Sequence, residues 1–214
     1  MRADKVQGEY NAQLSKGGCF LFVCLAALLL CGCEAKIRNA NSPGETIICF
    51  GDSITYGTGA DKGEDYPSLL SDLLMRDLIN AGVAGDTTRE ALARLDGDVL
   101  ELNPYLVIVE FGGNDFLERL PKQETLSNLK EMISKIQESG AIVALCDVSG
   151  SVIMSGYRED YRKLARETGS IFIPRLMQGI LVNPAFKYDE VHPNSKGYKI
   201  IAEKVHRAVG KYVK

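Results

Sequence analysis

Tyr105-Leu106-Val107-Ile108-Val109-Glu110-Phe111, followed at once by Gly112-Gly113-Asn114-Asp115, is nearly continuously apolar and rich in β-branched and aromatic residues. A half-exposed strand would alternate apolar with polar side chains, so this run reads as a parallel strand covered on both faces. On its C-terminal side Leu126, Leu129, Ile133 and Ile136 recur at helical spacing and Gly140 stands at a C-cap position, which predicts a helix over 123–139. On its N-terminal side a helix is predicted over 87–101, a short strand ending near Asn80, a helix over 66–77 and a strand over 46–50. Beyond 139 the pattern continues with strands at 142–147 and 170–174 and helices at 156–168 and 194–212. The last of these carries Ile201, Val205 and Val209 on one face. Strands alternating with helices at this length predict an α/β protein, a three-layer α/β/α sandwich around a parallel sheet.

The 214 residues, 45% hydrophobic and 25% charged, suffice for one well-buried core and are few for two. A formal net charge of −3, with no run of Lys and Arg interleaved with aromatics, argues against a nucleic-acid partner.

Cys19 to Cys31 (CFLFVCLAALLLC) is an uncharged apolar run of 13 residues preceded by Arg2, Lys5 and Lys16. It falls short of the ~20 residues that a membrane-spanning helix needs, and reads as the h-region of a signal peptide. A buried helix or an uncleaved anchor is the alternative, because Asp4 and Glu9 make the leader less basic than usual. Leu30-Cys31-Gly32-Cys33 resembles the lipobox of bacterial lipoproteins, in which the last cysteine is acylated; this implies residues 1–32 as the signal and Cys33 as the lipidation site. Cys31 departs from the pattern, where a small residue is commoner, and leaves ordinary signal-peptidase cleavage as the other route. Residues 33–45 then form the lipidated cysteine and a polar tether, and the domain occupies 46–214. Only Cys49 and Cys146 remain in it, each in a buried-strand run. They read as free, small apolar residues, with a disulfide between them as the alternative. No pair of Cys or His in the domain has ligand spacing, so neither a metal nor a cofactor is expected.

Three polar blocks follow strand carboxyl ends: Ser53 in GDSIT after the first, Gly85 in NAGVAGDT after the second and Asn114 in FGGND after the third. Ligands bind at that edge in open α/β folds. A serine hydroxyl is a poor nucleophile without a base, and the base needs an acid to hold its tautomer. Of the two histidines, His206 lies next to core position Val205 in the last helix, whereas His192 sits in a loop before Pro193. His192 is the better base, and Asp189 is near enough in sequence to reach its Nδ1. As an isolated motif, DEVHPN reads equally as a capping turn. Asp52 and Asp115 are rival acids and are assigned supporting roles. Acyl transfer also needs donors for the oxyanion, and the backbone N–H groups of Ser53 and Gly85 and the side-chain amide of Asn114 are candidates. Taken singly, GVAG and GGN read as plain strand-to-helix turns.

Taken together, GDSIT, NAGVAGDT, FGGND and DEVHP, in this order, resemble the blocks of the SGNH (GDSL) hydrolase superfamily over about residues 46–210. They are most similar to its thioesterase/lysophospholipase/arylesterase-like branch. The resemblance implies a flavodoxin-like sheet of order 2-1-3-4-5, with Ser53 as nucleophile, His192 as base and then acid, and Asp189 as its orienting partner. It implies an oxyanion hole of Ser53, Gly85 and Asn114. Position 55 is Thr rather than Gly, so the serine is not in the G-x-S-x-G elbow of α/β-hydrolases. The segment Asp147 to Met154 departs from what close thioesterase relatives lead one to expect and leaves the substrate open; Val152, Ile153, Met154, Phe116 and Leu117 are candidates for an acyl groove or for core. The expectation is a monomeric serine esterase, tethered to the cell envelope, acting on small acyl esters, thioesters or lysophospholipids. A carbohydrate O-acetyl esterase and a noncatalytic surface-binding lipoprotein are the alternatives.

Overall fold

In the computed structural model, which describes residues 36–149 and 154–213, five strands form one parallel sheet in the order 2-1-3-4-5. They are β1 (Thr46–Gly51), β2 (Leu78–Gly82), β3 (Pro104–Glu110), β4 (Ile142–Cys146) and β5 (Ile171–Ile173). The α-helices among the described residues are α1 (Ser53–Tyr56), α2 (Tyr66–Leu74), α3 (Thr88–Asp98), α4 (Gly113–Leu117), α5 (Lys122–Glu138), α6 (Arg158–Thr168) and α7 (Ser195–Val209).

The apolar runs at the centre of the sheet supply two cores, because successive side chains of a strand point to opposite faces. Ile47, Cys49, Leu106 and Ile108 meet Tyr66 and Leu70 of α2 and Ile201, Val205 and Val209 of α7. Ile48, Phe50, Val107 and Val109 meet Ala91 and Leu95 of α3, Leu129, Ile133 and Ile136 of α5, and Leu164 of α6. Each fully buried Val, Ile or Leu contributes about 1.5–3 kcal/mol, so the sandwich is held from both faces of β1 and β3. A charge at Ile108 or Val107 would open one core and leave the other intact.

Three predicted helices end early: the one expected over 194–212 closes at Val209, with residues 210–212 in a 3₁₀ turn, and the other two stop for local reasons. The helix expected over 66–77 stops at Leu74 because Met75 takes a left-handed φ of 52° and turns the chain into β2. The helix expected over 87–101 stops at Asp98, beyond which residues 100–102 form a 3₁₀ turn and Asn103, at φ 50°, redirects the chain into β3. The helices α1 and α4 have four and five residues, too few for periodicity to announce them. From Ile37 on, the stretch expected as a tether is laid against the domain. Arg38 N–H donates to the Gly169 carbonyl at 2.9 Å, Asn39 Nδ2 donates to the carbonyls of Gln137 and Ala141 at 2.7 and 2.9 Å, and Ile37 packs on the first core. The compact unit accordingly runs from Ile37 to Lys214. The expected signal segment and Cys33 lie outside the described residues, among which no helix is long and apolar enough to cross a membrane. Cys49 and Cys146 are free and buried, and burial pushes the Cys49 thiol up to about 12, leaving it an apolar filler.

β1 lies between β2 and β3, so the chain leaves its carboxyl end to one side and comes back to the other. This switch opens a crevice beyond the ends of β1 and β3, into which Ser53 and Asn114 fall by their place in the chain.

Candidate active site

Gly51 is demanded by the tightness of the turn after β1: a Cβ there would stand 2.0 Å from Thr55 Oγ1 and 2.8 Å from the Glu110 carbonyl oxygen. Asp52 caps the turn, its Oδ1 accepting the Ile54 N–H at 3.0 Å, and Ser53 is the first residue of α1. Its hydroxyl lies 3.0 Å from His192 Nε2. The loop that delivers His192 folds back on itself, with Tyr188 N–H donating to the His192 carbonyl at 2.9 Å. Asp189 Oδ1 accepts the backbone N–H groups of Val191 and His192 at 2.9 and 2.8 Å, and Oδ2 lies 2.7 Å from His192 Nδ1. The capping turn and the acid–base contact that the sequence offered as alternatives therefore coexist in one carboxyl. Burial opposes ionisation of Asp189, but the His192 side chain and those two backbone N–H groups outweigh it and hold the carboxyl down to about 2.

Gly85 has φ 89° and nothing within 4 Å of where a Cβ would be, so glycine there serves the backbone turn and leaves open space in front of it. Gly112, at φ 115°, turns β3 into α4 where a Cβ would collide with Tyr161 Oη at 2.1 Å. The turn sets Asn114 between the other two blocks, its Nδ2 donating to the Asp86 carbonyl at 2.9 Å and, more weakly, to Asp52 Oδ2 at 3.2 Å. Asp115 is fully buried and braces the start of α3, accepting Thr88 N–H at 2.9 Å and Thr88 Oγ1–H at 2.5 Å. His206 stands apart, lining a surface cleft of about 600 Å³ with Leu73, Glu203, Arg207, Gly210 and Lys211.

Glu110 is the residue that pattern reading passed over. It is fully buried at the end of β3, its Oε2 accepting the Thr55 hydroxyl at 2.9 Å, and Thr55 Oγ1 lies 3.0 Å from Tyr66 Oη. Burial, then the Asp52 charge, push its carboxyl well above the ordinary range; Asp52, also buried, is pushed up to about 6. A lone carboxylate inside YLVIVEF was the available signal, since a charge is almost never fully buried without a partner.

A pocket of about 220 Å³ is lined by Asp52, Glu110, Gly113 and Glu190 and by the apolar Ile54, Phe116, Leu117, Val148, Met154, Met177, Leu181 and Val191. Three of the candidate groove residues, Phe116, Leu117 and Met154, line it; Val152 and Ile153 lie outside the described residues. Among the described residues no three His, Cys, Asp or Glu side chains are grouped as metal ligands.

Residues 49–200 match the profile of the GDSL-like lipase/acylhydrolase family. An arylesterase of Vibrio mimicus is 30% identical over 204 residues, covering 90% of this chain and 96% of that protein. The thioesterase 1/protease 1/lysophospholipase L1 of Escherichia coli K12 is 28% identical over 167 residues, 74% of this chain and 80% of that one. The crystal structure of TesA superposes with a TM-score of 0.73 at 26% identity, covering 78% of this chain and 99% of the other.

Proposed function

Since the chain belongs to the GDSL-like lipase/acylhydrolase family and is an ester-hydrolysing serine hydrolase of the SGNH type, we propose that Ser53 is its nucleophile, His192 its base and Asp189 the partner that orients the imidazole. The observation that carries this is the continuous relay from Asp189 Oδ2 to His192 Nδ1, 2.7 Å, and from His192 Nε2 to Ser53 Oγ, 3.0 Å. Both spans lie within the ~2.6–3.2 Å over which a proton is handed on.

Ser53 Oγ adds to the acyl carbonyl carbon while its proton passes to His192 Nε2, and Asp189 stabilises the imidazolium. The carbonyl oxygen becomes an oxyanion that takes hydrogen bonds from the N–H groups of Ser53 and Gly85 and from Asn114 Nδ2. Collapse breaks the bond to the alcohol or thiol, which leaves with the proton from His192. Water, deprotonated by the same nitrogen, then adds to the acyl-enzyme and frees the acid and Ser53.

The acyl group occupies the apolar pocket beside Ile54. At about 220 Å³ it is smaller than the ~300–1,000 Å³ of drug-sized sites, which favours short to medium acyl chains. An acetyl group would leave most of it empty, which weighs against an O-acetyl esterase. Leu30 to Cys33 supports an exported domain anchored to the cell envelope through lipid on Cys33.

In the decisive test, Ser53→Ala loses hydrolysis of p-nitrophenyl esters by about 10⁴ or more and is no longer labelled by a fluorophosphonate. Undiminished activity in Ser53→Ala would overturn the assignment. For the anchor, Cys33→Ser moves the protein to the soluble fraction; a variant still bound to membranes would overturn lipidation in favour of an uncleaved helix.

A further inference from the structure

Arg94 lies on α3, away from the proposed triad, yet its guanidinium reaches the carboxyl ends of two strands and the loop behind a third group of the site. Nη2 donates to the Gly51 carbonyl at 3.1 Å and Nη1 to the Ala81 carbonyl at 3.0 Å. Nε donates to Asp86 Oδ2 at 2.5 Å, and Nη1 also reaches Asp98 Oδ2 at 2.7 Å, one turn along α3. The plane sits over the Phe50 ring, 4.4 Å from its centroid, with Phe111 at 5.9 Å; the two rings meet edge to face at 4.9 Å. The side chain is only 18% exposed, so these bonds form largely out of water.

Three of these four acceptors flank the proposed oxyanion hole, and the fourth, Asp98, lies on α3 itself. Gly51 lies two residues before Ser53, and its carbonyl also takes the Val83 N–H at 3.0 Å, which ties the loop carrying Gly85 to the end of β1. Asp86 follows Gly85 directly, and its carbonyl holds the Asn114 amide at 2.9 Å. Ala81 lies in β2, from whose end the Gly85 loop departs. We propose that Arg94 is a positioning residue that sets the mutual spacing of the Ser53, Gly85 and Asn114 donors, a role that rests on the oxyanion reading given above. Arginine suits it because a rigid planar fork can satisfy several acceptors at fixed angles while stacking on a ring. Lysine offers one ammonium on a flexible stem. Oxyanion donors act only when they are aimed at a point about 2.7–3.1 Å away, so a fork that fixes three chain segments bears on kcat more than on substrate binding.

The test compares Arg94→Ala and Arg94→Lys with wild type on a p-nitrophenyl ester, well below each variant's own melting temperature, with and without millimolar guanidinium ion. Arg94→Ala is expected to lose kcat by roughly 10–100-fold with KM within about threefold, and phosphonate inactivation slows in parallel with kcat. Guanidinium restores part of the loss, and Arg94→Lys recovers little of it. A merely structural brace would lower the melting temperature and leave kcat of the folded enzyme within about twofold of wild type, which overturns the proposal. Full activity in Arg94→Lys overturns it too, and decides the matter if Arg94→Ala does not fold. Ser53→Ala run in parallel separates the two readings: activity retained there sinks the nucleophile, whereas activity retained only in the Arg94 variants sinks the positioning role.

Discussion

Asp189 holds His192 twice, through Oδ1 to the backbone N–H of His192 at 2.8 Å and through Oδ2 to its ring Nδ1 at 2.7 Å. The first contact shapes the loop and the second fixes the tautomer, so one substitution can separate them. Asp189→Asn keeps an acceptor for the two backbone N–H groups and removes the charge opposite the imidazolium. The expected result is a kcat loss of roughly 10²–10⁴-fold with an almost unchanged melting temperature. A loss below about threefold would return Asp189 to a turn-capping role alone. Because the carboxyl is held down to about 2, lowering the pH toward 4 leaves it ionised, and acid inactivation in that range is not due to Asp189.

Asn114 enters the proposed mechanism with its amide already bonded to the Asp86 carbonyl and Asp52 Oδ2. The longer bond, 3.2 Å to Asp52, is the one an oxyanion can share or replace. Asn114→Ala is expected to lower kcat by roughly 10²–10³-fold with little change in KM, as removal of an oxyanion donor does. Asn114→Asp should be at least as poor, since it sets a carboxylate against both Asp52 and the developing oxyanion. Steady-state kinetics on a single ester decide it, and a kcat near wild type would make Asn114 a linker between loops and nothing more.

Leu117 lines the apolar pocket and is 60% exposed, so it can be changed at little cost to folding. Leu117→Asp places a charge where a medium acyl chain would pass. For hexanoyl and octanoyl esters kcat/KM should fall about tenfold, while the acetyl ester stays within about twofold, because a buried methylene is worth about 0.8 kcal/mol. An equal effect on all chain lengths would mean that the acyl group lies elsewhere.

Much of this architecture was legible in the chain because its strongest signals are local. A short, nearly continuous apolar run rich in β-branched residues, such as Tyr105 to Phe111, reads as a doubly covered strand, and glycines after strands mark where the backbone must turn. Ser53, Asn114 and His192 stood out because each interrupts such a pattern at a strand end or before a helix. What escaped reading was set by tertiary contact. Arg94 looks like any cation on an amphipathic helix until the Phe50 ring and four acceptors surround it. Ile37 to Asn39, in a polar stretch, dock on the domain through backbone and amide bonds that no periodicity encodes. Asp115 is assigned only a supporting role from the sequence, and its capping of Thr88, 27 residues away in the chain, is visible only in three dimensions.

Asp52 and Glu110 share the buried floor beside Ser53, and their ionisation bears on stability. Burial pushes Asp52 from its ordinary 3.8 up to about 6, against the Ile54 N–H, a hydrogen bond from Glu110 and His192, which favour its charge, and with Asp86, which does not. Burial and the Asp52 charge push Glu110 higher still. Between about pH 4 and pH 6 and beyond, the folded protein therefore keeps protons that the unfolded chain has released. Stability from this pair is full below the unfolded carboxylate pKa values and is lost as the pH rises through the folded ones. Glu110→Gln keeps an oxygen to accept from Thr55 and an N–H where the protonated acid had its O–H, but it removes the titrating group whose charge burial and Asp52 disfavour. Relative to wild type, the variant should gain about 1–2 kcal/mol between pH 4 and pH 8, a few degrees in melting temperature for a domain of this size. Thermal melts of both proteins across that range measure the difference directly. If it does not vary with pH, no proton is held at Asp52 and Glu110, and the buried floor carries its charge through hydrogen bonding alone.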